Sequence, residues 1–316
     1  MIGYIIRRIL VAILITVGIA AITFELLHLI AGSPVHEVLG RGAKPVQIAA
    51  WNKQHGYDRP LITQFASYLG NLAQLNFGYS YKQGQSVAAL FRENAARSIY
   101  LSGSALILSL LIAIPIGIAQ AVKRNSIGDY TMTTLTFVLY AMPPFFLGII
   151  LIDVFALHLH IFPPLVPTSQ TSLGQALLHP RDYVLPIVTL TAVNIASFSR
   201  YMRSSALDNL AQDYIRLARA KGLSQRAVLY RHLLRNACLP MITLVGLSIP
   251  NLLAGNLLIE VLFNYPGLGL LFYNALGNLD YNILLAYVIL GAILTVIGNL
   301  IADIAISAAD PRVRLG

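Results

Sequence analysis

The sequence predicts an all-α, polytopic membrane protein: a single domain over residues 1–316 with six transmembrane helices and both termini on one face. Three observations carry this expectation. Hydrophobic residues make up 57% of the chain and charged residues 11%, whereas soluble domains carry about 25% charged residues. Apolar runs at residues 9–30, 98–122, 130–157, 184–201, 241–263 and 283–306 come near the roughly 20 residues that a bilayer crossing requires. Lys and Arg, finally, are shared very unevenly among the segments between those runs.

Arg7-Arg8 precede the first run, which is almost unbroken from Ile9 to Ile30. Small residues follow at Ala31-Gly32-Ser33, as they do after a signal peptide, but the run exceeds the about 7–15 residues of a signal h-region. A retained span is expected, with Glu25 and His28 reaching the outer interface. Residues 32–97 form a long external loop, a solvated stretch in which Leu61, Phe65, Tyr68, Leu69 and Leu72 have the spacing of one amphipathic surface helix. The second run ends at the basic turn Lys123-Arg124-Asn125. Pro143-Pro144 remove backbone donors and crowd the preceding turn, so the third should kink. Beyond it, His158 and His160 stand two apart, unlike a helical metal pair. The fourth run is polar on one side through Thr189, Thr191, Asn194 and Ser197, and the fifth carries Pro250, Asn251, Asn256 and Glu260. Between the fifth and sixth, residues 264–282 (NYPGLGLLFYNALGNLDYN) contain no Lys or Arg.

Charge sets the expected orientation. One set of segments carries Arg7, Arg8, Lys123, Arg124, the eight Lys/Arg of residues 200–240, Arg312 and Arg314; the two short segments opposite carry only Arg181. The loop 32–97 holds seven more, but it exceeds the roughly 60 residues over which the positive-inside rule operates. Both termini and the basic stretch are therefore expected in the cytoplasm. The single cysteine, Cys238, excludes an internal disulfide, and no Cys/His cluster has zinc-ligand spacing.

Residues 200–240 are the one long basic run between apolar segments in the second half of the chain, with only Asp208 and Asp213 against the eight cations. Leu207, Leu210, Tyr214, Leu217 and Ala218 recur at helical spacing, with Asp208 placed to cap the start. Gly222 breaks the run, Ser224 can cap a second helix reaching His232 and Leu234, and Leu239-Pro240 re-enters an apolar segment. The stretch YIRLARAKGL…RHLLRNACLP resembles the cytoplasmic EAA-type coupling loop of permease subunits of bacterial ABC importers, most closely the dipeptide, oligopeptide and nickel branch. Ala218, Gly222 and Leu239-Pro240 match that loop. Arg216 stands where the general pattern has Glu and the Leu-Pro falls later, both usual in this branch. Tyr57-Asp58-Arg59-Pro60-Leu61, Phe77-Gly78 and the Asp310–Arg314 end resemble the same permeases.

The resemblance implies a coupling loop over residues 204–238 that meets an ATPase through Tyr214, Ile215, Arg216, Ala218, Arg219, Lys221, Gly222 and Leu223. Ala218 would allow close approach and Gly222 the sharp reversal. It also implies a second permease subunit as heterodimer partner, two cytoplasmic ATPases, an extracytoplasmic solute-binding protein, and a place in the bacterial inner membrane. The cargo would be di- or oligopeptides, with nickel chelates, glutathione or other small solutes as alternatives.

Other functions find less support. Ala218, Gly222 and Val228 also fit a DNA-binding helix-turn-helix, but the segment is tied to apolar spans at both ends, so no nucleic-acid partner is expected. There is no G-x-x-x-x-G-K-[ST], so ATP would be used only by partner subunits; Leu101-Ser102-Gly103-Ser104 resembles the start of an ABC signature by coincidence. No catalytic, cofactor or metal set stands out. A secondary transporter, the alternative of another class, normally shows broken helices in two related halves, and no repeat is apparent. Pro143 and Phe145 of the third span and Asn251, Asn256 and Glu260 of the fifth are the expected lining of a translocation path. Intramembrane acids are costly and functional by default, though Glu260 lies near the outer end, where hydration would relieve it.

The charge distribution makes a direct prediction. In a Cys238→Ser background, a cysteine at position 222 should be shielded from impermeant reagent in intact cells and one within 42–80 should be labelled. Labelling of position 222 from outside would overturn the six-span orientation.

Overall fold

The computed structural model describes residues 2–31, 35–40, 42–80, 82–167 and 173–309; Arg312 and Arg314 lie outside them, and of Asn251 only the backbone is described. Helix α1 (Ile2–Ala31) turns Ala20, Phe24 and Leu27 inward and leaves Leu10, Ile13, Leu14 and Val17 exposed, as a helix in lipid can. Three short helices follow: α2 (Val35–Leu39), α3 (Pro45–His55) and α4 (Leu61–Ala73). A two-stranded antiparallel hairpin, β1 (Tyr79–Ser80) with β2 (Gln85–Ser86), comes next. This sheet is a small exception to the all-α expectation.

The segment between the first two spans is docked rather than solvated. The amphipathic helix falls where expected, and Phe65 and Tyr68 pack on a core containing Phe24, Leu271 and Leu284. Gln64 meets His28 Nε2 at 3.2 Å, Asn282 donates to the Tyr79 carbonyl at 2.9 Å, and the Ser80 hydroxyl donates to Asp280.

Helix α5 (Val87–Val122) begins well before the expected residue 98, capped by Ser86, whose hydroxyl accepts from the Ala89 amide. Its 36 residues extend about 54 Å, well beyond the about 30 Å of a bilayer core. The third apolar run bends sharply at the prolines, as expected, and the bend is large. Helices α6 (Ile127–Ala141) and α7 (Pro144–Leu151), the latter continuing as a π-helical stretch over Ile152–His158, meet at 105°. Two successive prolines explain the break: Met142 is pushed to extended backbone (ψ 130°), Pro143 follows at ψ 134°, and neither proline supplies an N–H.

After α8 (Leu173–Leu178) and a 3₁₀ turn at Pro180–Tyr183, α9 (Val184–Leu210) runs past the expected end at Tyr201 into the basic stretch. There follow α10 (Asp213–Ala220), α11 (Gln225–Ala227), a π-helical stretch (Val228–Leu233) and α12 (Leu234–Ala237). The chain bends by 47° into α13 (Leu239–Ala254). The fifth run is also broken, at Gly255 (φ +85°) and Asn256, before α14 (Leu257–Leu262). Helices α15 (Leu268–Asn278) and α16 (Tyr281–Ala309) complete the order. Among the described residues, four helices are long and apolar enough to cross a membrane, and the two bent pairs raise the number to six if each pair counts as one span.

Small residues set the closest helix crossings, as expected where lipid offers apolar side chains no reason to associate and packing must do so. A Cβ built on Gly117 of α5 would stand 2.6 Å from the Met202 Cβ and 2.8 Å from the Ser199 carbonyl of α9. One built on Gly246 of α13 would stand 2.3 Å from the Ala302 Cβ of α16. Gly117→Val should therefore force α5 from α9 and cost about 1–3 kcal/mol of stability. Gly18→Val, with nothing within 4 Å, should be neutral. Thermal unfolding in detergent checks both, and a parent-like midpoint for Gly117→Val would contradict the crossing.

Candidate functional site: the basic helix-turn-helix and the broken fifth run

The basic stretch folds as helix, glycine turn, helix. Asp208 lies inside α9 rather than at a helix start; the chain breaks at Ala211-Gln212, and Gln212 precedes α10. Gly222 adopts φ +75° and donates its N–H to the Arg219 carbonyl at 2.9 Å. No atom lies within 4 Å of a notional Gly222 Cβ, so the requirement for glycine is conformational, not steric. Ser224 then caps the second helix, its hydroxyl accepting from the Ala227 amide at 3.4 Å.

The two faces of α10 differ sharply. Ile215 and Ala218, three residues apart and so on one face, are 0% and 4% exposed and pack with Met202, Ala206, Val228 and Leu233. Half-buried Tyr214 donates its hydroxyl to Asn209 Oδ1 at 2.7 Å, a direct tie to α9. Arg216, Leu217, Arg219, Lys221, Gly222 and Leu223 are exposed, and Arg216 makes only a surface ion pair with Asp213 at 3.3 Å. Ala218 faces inward, and its small side chain lets α10 lie close to the π-helical stretch Val228–Leu233 of the same chain. Leu217, 56% exposed, was missed as a surface residue because both faces of this short helix carry apolar side chains.

Of the residues expected to line a path, the structure gathers two. Glu260 is 0% exposed, not hydrated at an outer end. Its Oε1 accepts from the Ser98 hydroxyl at 2.8 Å and the Asn256 amide at 3.3 Å, and its Oε2 from the Gly269 and Leu270 amides at 2.7 and 3.2 Å. Ser98 also accepts from the Leu268 amide at 2.8 Å, so one carboxylate and one hydroxyl satisfy the first three N–H groups of α15. Asn256 donates to Ser102 Oγ at 2.7 Å. Gly255, Gly267 and Gly269 cradle the carboxylate: a Cβ on Gly267 would stand 2.4 Å from Oε2 and one on Gly255 2.5 Å from Oε1. Pro143 and Phe145 are not part of this network; both are exposed, beside the α6–α7 break. Asn251 is on α13, and its side chain lies outside the described residues. Sequence reasoning missed Ser98 and the three glycines, although the Gly-x-Gly at 267–269 was a visible sign of close backbone approach. Among the described residues no group of three His, Cys, Asp or Glu is placed to hold a metal ion.

Apolar helices, two of them broken, with a basic helix-turn-helix carrying an exposed face, define an integral membrane component of multi-pass type. The chain belongs to the family of binding-protein-dependent transport system inner membrane components, whose model matches residues 113–315, while the model of that family's N-terminal region matches residues 1–102. It is 36% identical over 315 residues to the oligopeptide transport system permease protein AppB of Bacillus subtilis (strain 168), covering 99% of this chain and 100% of that one. It is 33% identical over 314 residues to the glutathione transport system permease protein GsiC of Salmonella choleraesuis, covering 99% of each. To the dipeptide transport system permease protein DppB of Alkalihalophilus pseudofirmus it is 31% identical over 332 residues, 99% of this chain and 100% of that one. It is thus a multi-pass protein of the cytoplasmic membrane.

Removing the carboxylate should uncap α15. Glu260→Ala leaves buried amide donors unpaired and should cost about 3 kcal/mol, so that the amides of 268–270 exchange roughly a hundredfold faster. Ser98→Ala should do the same more weakly. Unchanged protection of those amides in Glu260→Ala would rule out the capping role.

Proposed function

We propose that this chain is one permease subunit of an ATP-driven importer and forms half of a translocation path for di- or oligopeptides. The exposed face of α10, braced from behind by Ile215 and Ala218 against the stretch Val228–Leu233, is the observation that carries the reading. A chain without a phosphate-cradling motif needs an external engine. A short helix ending in a sharp turn, braced from behind, can seat in a groove of an ATPase and be displaced as a rigid body. Leu217 and Leu223 would enter that groove, with Arg216, Arg219 and Lys221 around them to meet acidic groups. The docking segment faces the cytoplasm in this reading, and a second permease, a pair of ATPases and an external solute-binding protein complete the machine. Peptide cargo follows the names of the relatives, which are permease proteins of oligopeptide, dipeptide and glutathione transport systems.

Leu217→Asp and Leu223→Asp test the seat without touching the core. A charge forced into a packed interface costs about 2–5 kcal/mol, so ATPase co-purification and peptide uptake should fall together at matched membrane levels. Exposed Ser204→Ala should change neither, and the isolated chain should hydrolyse no ATP. If both aspartate variants transport normally, the basic stretch only anchors topology and the reading fails.

A further inference from the structure

Helix α6 is attached to the rest of the chain in an unusual way. Its only buried residues are polar, Asp129 and Thr136, while Met132, Leu135, Phe137, Val138 and Tyr140 are exposed. Asp129 is 3% exposed, and both carboxylate oxygens are engaged by one guanidinium. Arg203 Nε donates to Oδ1 and a terminal nitrogen to Oδ2, each at 2.8 Å. The Asn125 amide donates to Oδ2 at 3.1 Å, and Thr133, itself accepting from Gln120 of α5 at 3.1 Å, donates to Oδ1 at 3.4 Å. One turn earlier on α9, the Arg200 guanidinium lies 4.6 Å from the ring centre of Tyr140. Asp129 is in the first turn of α6 and Tyr140 in its last, so two arginines a turn apart on α9 hold α6 at both ends.

These arginines flank Met202, which with Ala206 shares a buried cluster with Ile215, Ala218, Val228 and Leu233 of the basic stretch, and Tyr214 is tied to Asn209 of α9. From α6 the chain passes through the 105° break into α7, where Gly148 lies against Leu262, the last residue of α14, and Phe263 just after it; α14 carries Glu260. We infer that Arg200 and Arg203 form a two-point clamp through which displacement of α10 and α9 is transmitted to the broken segment Ile127–His158. They are positioning residues, and the inference rests on the importer reading above. A fork of two parallel hydrogen bonds fixes orientation as well as distance, which a lysine at position 203 could not do. Attachment through two polar contacts, with little apolar packing, lets α6 follow α9 as a unit.

The test uses the assembled complex of permeases and ATPases in liposomes, with a labelled mixture of di- and tripeptides as probe. Spin labels at Leu135→Cys on α6 and Ser204→Cys on α9, in a Cys238→Ser background, report the clamp directly. The parent should give one narrow distance with and without ATP-vanadate. Asp129→Asn/Arg203→Gln with Arg200→Gln leaves no unpaired buried charge, so the chain keeps its fold. It should broaden that distance and retain ATP hydrolysis, while peptide taken up per ATP falls about tenfold, the scale of a coupling contribution. Arg203→Lys should be intermediate in both readouts. An unchanged distance distribution, or unchanged uptake per ATP, in the triple variant overturns the inference. A parent complex that neither hydrolyses ATP nor imports peptide overturns the importer reading alone, because the label distances still decide the clamp.

Discussion

A carboxylate with no exposed surface must be satisfied by the chain around it, and much of the architecture follows from that constraint. Glu260 lies just after the Gly255-Asn256 break, so the helix that would have continued α13 instead presents an acid to the N-terminus of α15. Three glycines are needed because the donors are backbone amides, and side chains at those positions would occupy the space of the carboxylate oxygens. Ser98 brings α5 into the same knot, and Tyr265 closes it by donating its hydroxyl to the Arg97 carbonyl at 2.6 Å. Unpaired, such a charge would be among the most costly groups in the fold; paired four ways, it ties three helices together.

The contacts of the basic stretch and of α6 with α9 differ in chemistry. Apolar contact through Ile215 and Ala218 holds α10 on the stretch Val228–Leu233, which together with α12 packs on α9, while charge and ring contact hold α6 on α9. Apolar packing tolerates small sliding, whereas a forked ion pair does not. Helix α9 is thus joined to a surface element on one side by a yielding contact and to a broken span on the other by a stiff one.

The composition and the Lys/Arg distribution made the membrane class legible, because a bilayer imposes length and charge rules that act on single segments. The helix, Gly222 turn and Ser224 cap were legible for the same reason: each depends on residues within one turn. What depends on distant partners was not. Pro143-Pro144 announced a bend, but its 105° size also involves the seat of Gly148 against Leu262 and Phe263. Glu260 looked like an acid near an interface until Ser98 and the α15 amides were beside it. Residues 32–97 read as a solvated loop because the contacts that dock them, such as Asn282 with Tyr79, join positions far apart in the chain. On α10, helical spacing separated two faces but could not say which looked inward, since Leu217 and Ile215 are equally apolar.

Helix α5 contributes Val87, Leu90 and Phe91 to one buried cluster, Leu101 and Ala105 to a second, and Leu106, Ala113 and Ala121 to the third. Among the described residues it is the only element that forms a wall of all three. Loss of α5 therefore opens every packed region at once. The three packed regions are thus joined by one continuous rod rather than by one continuous interior, and a disturbance of α5 reaches all of them.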